Sequence, residues 1–128
     1  MYLLDTCALL WLATDHAQLS PKATAVLLSG DSVLHFSAIS ALEIERLRQS
    51  GRVAMKLAAD EWLVKLANRY RLLELPVDCR IAALAMRLPP IHKDPCDRLI
   101  IATAAIHRLK IVTRDETIPR YAEARVVW

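Results

Sequence analysis

Five acidic residues carry whatever chemistry this sequence can perform. Asp5 directly follows the apolar run Tyr2-Leu3-Leu4, and Asp115 follows Ile111-Val112-Thr113-Arg114 in the same manner. Glu43 stands between Leu42 and Ile44, while Asp94 and Asp97 sit three residues apart in HKDPCDRLIIATA at 92–104. Each has an ordinary structural use. Asp5 and Asp115 suit turns or helix caps, Ser40-x-x-Glu43 reads as a capping box, and Asp94-Pro95 reads as an N-cap followed by proline at the first helical position. Asp97 fits least well, because it shares a helical face with Ile101 and so heads a stripe that wants to be buried.

Should Asp5, Glu43, Asp97 and Asp115 converge, electrostatics decides what they do. Two carboxylates about 5 Å apart repel by roughly 3 kcal/mol at an effective dielectric of about 20, and four of them make several such pairs. A cluster of this kind takes up protons or holds a cation. Oxygen-only ligands suit Mg²⁺ or Mn²⁺, which activate water and neutralise phosphate oxygens. A zinc site from His92, Cys96, Cys7 and Cys79 is the weaker reading, since no C-x-x-C or C-x₂₋₄-C spacing exists. Cys79 and Cys96 are expected to be buried free thiols.

The elements that must position these groups alternate between strand and helix. Tyr2–Leu4 reads as a buried strand ending at a polar pocket. Ser20-Pro21 starts a helix to about Ser29, Val33–Ser37 is a second strand, and Ser40 opens a helix that Gly51 closes. Asp60–Tyr70 is an amphipathic helix with Trp62, Leu63, Leu66 and Ala67 on one face, followed by a strand over Leu72–Leu75. Asp78 caps a helix through about Arg87, Asp94-Pro95 starts another to about Leu109, Lys110–Thr113 is a fourth strand, and Arg125–Trp128 an edge strand. This order predicts one α/β domain over 1–128, with a mainly parallel sheet of four to five short strands flanked by helices. Polar chemistry then gathers at the carboxyl ends of the strands.

Composition bounds the remainder. The chain has 128 residues, 55% of them hydrophobic, with a mean hydropathy of +0.25. So apolar a chain of this size implies a patch reserved for a partner or a second copy. No apolar stretch approaches the roughly 20 residues of a membrane span, and Asp5 interrupts the start of the chain, so a soluble protein without a signal peptide is expected. Three widely spaced cysteines point to reduced thiols in a cytoplasm. A net charge of +3, with twelve arginines among the seventeen basic residues, permits a nucleic-acid partner without demanding one. With only two glycines, neither GxGxxG nor a Walker loop is present.

The segments LLDTCALLW at 3–11, SAISALEI at 37–44, LPPIHKDPCDRLIIATA at 88–104 and IVTRD at 111–115, taken in order and spacing, resemble PIN-domain ribonucleases and, within them, the VapC toxins of bacterial toxin-antitoxin pairs. That resemblance implies a PIN fold and Mg²⁺- or Mn²⁺-dependent hydrolysis of RNA, transfer RNA being the favoured analogy. It further implies a homodimer, a cognate antitoxin and inhibition of translation. Its acidic quartet maps to Asp5, Glu43, Asp97 and Asp115, with Asp5 and Asp97 as principal metal ligands. Asp94, Thr6 and Thr113 would support them, Ser37 could act like Thr6, and Arg46, Arg98 and Arg114 would steer phosphate. Cys7, Leu42 and Cys96 depart from residues common in the family, but none of them replaces an acidic position. The rival readings are a catalytically silent PIN-like module that binds RNA or protein, and a metal-dependent nuclease or phosphatase with another substrate.

Overall fold

The computed structural model describes residues 1–128. Its strands are β1 (Tyr2–Leu4), β2 (Leu34–Ser37), β3 (Leu72–Leu75), β4 (Lys110–Val112) and β5 (Val126–Val127). Its α-helices are α1 (Thr6–Thr14), α2 (Pro21–Leu27), α3 (Ile39–Gln49), α4 (Ala59–Tyr70), α5 (Cys79–Arg87) and α6 (Pro95–His107), with short 3₁₀ turns at His16–Gln18 and Ile118–Arg120. Every strand pairing is parallel, in the order β3-β2-β1-β4-β5. The expected α/β architecture is therefore present, with five strands.

Strand periodicity divides the core in two. Leu4 pairs with Phe36 and with Val112, and all three pack with Leu9, Leu12, Ile44, Leu63 and Leu66 from the helices of one face. Leu3 and its partner Ile111 point the other way, into Ile81, Ile100, Ile101, Ile118 and Tyr121. Each of these large buried side chains contributes about 1.5–3 kcal/mol. With both faces covered, the strands read as continuous apolar runs rather than as alternating ones.

The order of the strands locates the pocket. From β1 the chain moves outward through β2 to β3, then returns to place β4 on the opposite side of β1. The reversal falls between β1 and β4, and the connections leaving their carboxyl ends diverge, opening a crevice there. Asp5 ends one of those strands, and Asp115 follows the other by three residues.

Several local expectations change. Helix α1 was not anticipated: TCALLWLAT is apolar nearly all round, so it lacks an amphipathic signature although Thr6, Ala8, Leu9 and Leu12 are buried. Helix α3 starts at Ile39 behind Ala38, which makes no side-chain cap, so Ser40 and Glu43 do not form a capping box. Arg108, in the left-handed region at φ 56°, ends α6 after His107, two residues earlier than expected. Helix α2 stops at Leu27. Cys79 is exposed, at the first turn of α5 beyond its cap Asp78, whereas Cys96 is buried as expected.

Candidate metal centre

Each acidic residue reaches the crevice from its own element. Asp5 caps α1, its Oδ1 accepting from the Ala8 N–H at 2.8 Å, while its Oδ2 accepts from the Thr113 hydroxyl. The same hydroxyl oxygen accepts from the Asp115 N–H at 3.0 Å. One buried side chain thus ties the carboxyl ends of β1 and β4 together. Asp115 is further held by the Thr117 N–H at 2.6 Å and the Ile118 N–H at 3.3 Å, both donating to Oδ1.

Glu43 projects from α3 toward α1, where the Thr6 hydroxyl donates to its Oε1 at 2.7 Å. The Ser40 hydroxyl, wholly buried, lies 3.0 Å from the same Thr6 oxygen. That contact explains why the serine does not cap: Ser40 and Glu43 face the neighbouring helix. Ser37 is occupied locally, accepting from the Ile39 N–H at 3.2 Å.

Helix α6 brings the two aspartates that the sequence placed three apart. Asp94 is the N-cap, accepting from the Cys96 N–H at 2.9 Å, and Pro95 follows as the first helical residue. Asp97 lies within the first turn, half-buried, with Oδ2 3.0 Å from His92 Nε2. The same imidazole nitrogen lies 3.0 Å from Asp115 Oδ2. Ligand atoms of His92, Asp97 and Asp115 all fall within 4.8 Å of one another. The sequence suggests His92 only as a partner of cysteines at a zinc site; its position two residues before the α6 cap is the signal that places it here.

These side chains line an open cavity of about 350 Å³, bounded by Asp5, Thr6, Cys7, Trp11, Glu43, Asp94, Asp97, Arg114 and Asp115. Five carboxylates therefore face one arginine. Burial pushes Asp5 up to about 6 against the lowering pull of Thr113 and Ala8, with the charges of Glu43 and Asp115 adding to the rise. Asp97 is pushed up to about 7, first by burial and then by Glu43 and Asp94, against the opposing effect of His92. Burial likewise raises Glu43 despite its Thr6 hydrogen bond, and raises Cys7 to about 11 with help from the surrounding carboxylates. Asp115 differs: burial lifts it, but the His92 contact and the Thr117 and Ile118 amides outweigh that and hold it below its ordinary value.

A pocket that raises the proton affinity of two of its carboxyls this far lacks positive charge. Its donors are carboxylate oxygens from four elements with one imidazole beside them, a set that fits a hard divalent cation. Asp5, Glu43, Asp97 and Asp115 thus share the cavity, Asp94 lines it as well, and Thr6 and Thr113 orient its carboxylates. Of the three arginines, only Arg114 reaches it. Arg46 lies on α3 near the Cys96 thiol, 3.9 Å from its sulfur. Arg98 has a different task from steering phosphate. Its guanidinium donates to the carbonyls of Leu88 at 2.7 Å, Pro89 at 2.9 Å, Met86 at 3.3 Å and His92 at 3.4 Å. It thereby caps the end of α5 and pins the loop that carries His92.

Comparison with known proteins identifies the family and the fold. The PIN domain family matches residues 2–124. Ribonuclease VapC22 of Mycobacterium tuberculosis is 32% identical over 126 residues, covering 98% of this chain and 95% of the relative. Among solved structures, VapBC2 of Rickettsia felis bound to a promoter DNA fragment is similar at a TM-score of 0.70 and 16% identity, over 98% of this chain and 96% of that one. A toxin-antitoxin complex from Klebsiella pneumoniae gives 0.68 at 21% identity, over 100% and 97%.

Proposed function

Because this chain belongs to the PIN domain family, we propose that it is a Mg²⁺- or Mn²⁺-dependent endoribonuclease, the toxin of a toxin-antitoxin pair, acting on RNA in the cytoplasm so as to inhibit translation. The observation that carries this reading is the convergence of Asp5, Glu43, Asp97 and Asp115 in one cavity, two of them held well above the ordinary aspartate range. The ribonuclease name of the 32% identical relative supports the choice of RNA.

In this mechanism Asp5 and Asp97 are the principal ligands, and Glu43 and Asp115 complete the acidic cage. A divalent ion held there would supply Lewis acidity and a countercharge toward a phosphodiester. The chain's own contribution is placement. Thr113 and the α1 amide fix both oxygens of Asp5, Thr6 aims Glu43 into the cavity, and two backbone amides hold Asp115. Glu43, held by Thr6 beside the cavity, would accept the proton that the attacking water gives up as its oxygen bonds to phosphorus; the P–O bond to the leaving ribose then breaks, and that ribose oxygen takes a proton from solvent. Asp94 starts α6 and lends the cavity a further negative charge.

The antitoxin part of the reading draws on the toxin-antitoxin complexes among the structural neighbours. It also draws on a groove of about 390 Å³ between α3 and the start of α4, lined by Ala41, half-exposed Leu42, Ala58 and Ala59 with Glu45 and Asp60. A homodimer would use further apolar surface such as Met86, which is 83% exposed.

Incubating purified protein with total RNA in Mg²⁺ or Mn²⁺, in EDTA, and beside Asp97→Asn tests the assignment. Cleavage that needs the metal and fails in the variant is expected. No cleavage of any RNA, or undiminished cleavage by Asp97→Asn, would overturn it.

A further inference from the structure

The acidic cavity is a poor place to hold a polyanion. Five carboxylates face Arg114 there, so RNA must gain most of its attraction from elsewhere on the chain. A second cavity, of about 210 Å³, lies between the end of α1 and α4 and has the opposite charge. Ala13, Trp62 and Leu66 form its apolar floor, exposed Lys65 and Arg69 complete it, and no carboxylate is among the lining residues. The two cations are four residues apart on one helix, so their side chains are neighbours and repel. Neither forms an ion pair that would offset this. Arg69 lies over the Tyr70 ring instead, 5.2 Å from its centroid, and the Tyr70 hydroxyl donates to the Leu12 carbonyl on α1 at 3.2 Å. The guanidinium thus rests on an anchored ring. Other grooves differ: the one between α3 and α4 carries Glu45 and Asp60, and the one beside α5 holds only Arg98, whose guanidinium is spent on carbonyls.

We propose that Lys65 and Arg69 hold a phosphate of the RNA backbone outside the acidic cavity, with the adjoining ribose lying on the Trp62 indole. This rests on the reading of RNA as the substrate and assigns part of its binding to α4. Helix α1 joins the two sites. Cys7 lines the acidic cavity and Ala13 the basic one, about 9 Å further along the helix axis, a separation that a few nucleotides of backbone span. A guanidinium offers phosphate two parallel N–H bonds, and the ammonium beside it adds a point charge. The contact is to phosphate, so it positions RNA without reading its sequence.

The test is binding of a fluorescein-labelled RNA of mixed sequence, followed by anisotropy in EDTA across a range of salt concentrations, with poly-glutamate as the competing acidic polypeptide. Lys65→Gln/Arg69→Gln should weaken RNA binding about tenfold at about 0.15 M salt and lower the slope of log affinity against log salt by about 1.4, two contacts on a single strand. Lys65→Arg/Arg69→Lys, which keeps both charges, should keep the slope. In ¹H–¹⁵N spectra the Trp62 indole N–H should move as RNA is added. Wild-type affinity and slope in the glutamine variant, the same loss in the charge-keeping exchange, or an unmoved Trp62 signal would overturn the proposal. Poly-glutamate that binds as tightly as RNA and is lost equally in the glutamine variant would also overturn it, assigning the surface to an acidic polypeptide. A lowered slope in a protein that cleaves no RNA in Mg²⁺ keeps this contact and refutes the nuclease; cleavage with an unchanged slope does the reverse.

Discussion

Replacing Asp97 by asparagine should abolish the proposed activity and, in the absence of metal, make the protein more stable at neutral to alkaline pH. Shifting this carboxyl from 3.8 to about 7 means that ionising it in the native state costs about 4 kcal/mol relative to the unfolded chain, at roughly 1.36 kcal/mol per pH unit. The side chain is 19% exposed, so most of that penalty is felt. Asparagine removes the charge but also weakens the contact with His92 at 3.0 Å, a loss of about 1–2 kcal/mol. The balance is a gain of about 2 kcal/mol at pH 8, on the order of 6–10 °C in Tm for a chain of this length.

The sign reverses with pH. Between 3.8 and about 7 the unfolded aspartate has lost its proton while the native one keeps it, so the native state binds more protons and wild-type stability falls as pH rises through this window. Near pH 4 the penalty is nearly absent, and the variant, short of its His92 contact, should be the less stable of the two. Thermal melts of both proteins in EDTA from pH 4 to 8 should therefore cross. Mg²⁺ should then restore the wild type at pH 8, by about 2.7 kcal/mol at one hundred times the dissociation constant, and should help the variant far less. Destabilisation of Asp97→Asn by the same amount at pH 4 and pH 8 would refute the idea that the carboxylates strain one another.

Three further outcomes are expected. Thr113→Val, which takes the hydroxyl from Asp5 and leaves the Asp115 N–H without its acceptor, should reduce Mg²⁺-dependent RNA cleavage about 10- to 100-fold and raise the Asp5 pKa above about 6, read by NMR titration of its carboxyl carbon. Tyr121→Phe, which removes the hydroxyl that accepts from the His92 N–H at 2.7 Å and donates to the Pro89 carbonyl at 2.8 Å, should cost about 1–3 kcal/mol in urea denaturation. Asp94→Asn should change stability by less than about 0.5 kcal/mol, because asparagine caps a helix as well as aspartate does, and should retain part of the cleavage activity; a loss equal to that of Asp97→Asn would make Asp94 a ligand rather than a cap.

The sequence made the sheet legible because fully buried parallel strands read as short apolar runs, and Asp5 and Asp115 stood out by ending two of them. It made Asp94 legible because Asp-Pro is a helix start with a mechanism. Glu43 was harder. Ser40-x-x-Glu43 satisfies the capping-box pattern, yet the helix begins two residues earlier than that pattern requires and both side chains are consumed by Thr6 on α1. No periodicity could reveal that, because α1 is buried on most sides and carries no amphipathic stripe. Arg98 misled for a related reason. A guanidinium beside an acidic motif suggests phosphate, but unsatisfied carbonyls at a helix end attract the same group, and only the path of residues 86–92 shows which demand is met.

What holds the acidic residues in place follows from the same hydrogen bonds. Asp5, Glu43, Asp97 and Asp115 would move apart if each were free to rotate, but hydroxyl or amide donors fix Asp5, Glu43 and Asp115. Asp97 has no such donor. Its one polar side-chain contact is His92, whose backbone Arg98 and Tyr121 anchor from outside the cavity. The fold therefore supports three carboxylates from within and leaves the fourth to a side chain that also touches Asp115. Displacing the loop that carries His92 should therefore release Asp97 and Asp115 together, since one imidazole nitrogen touches both.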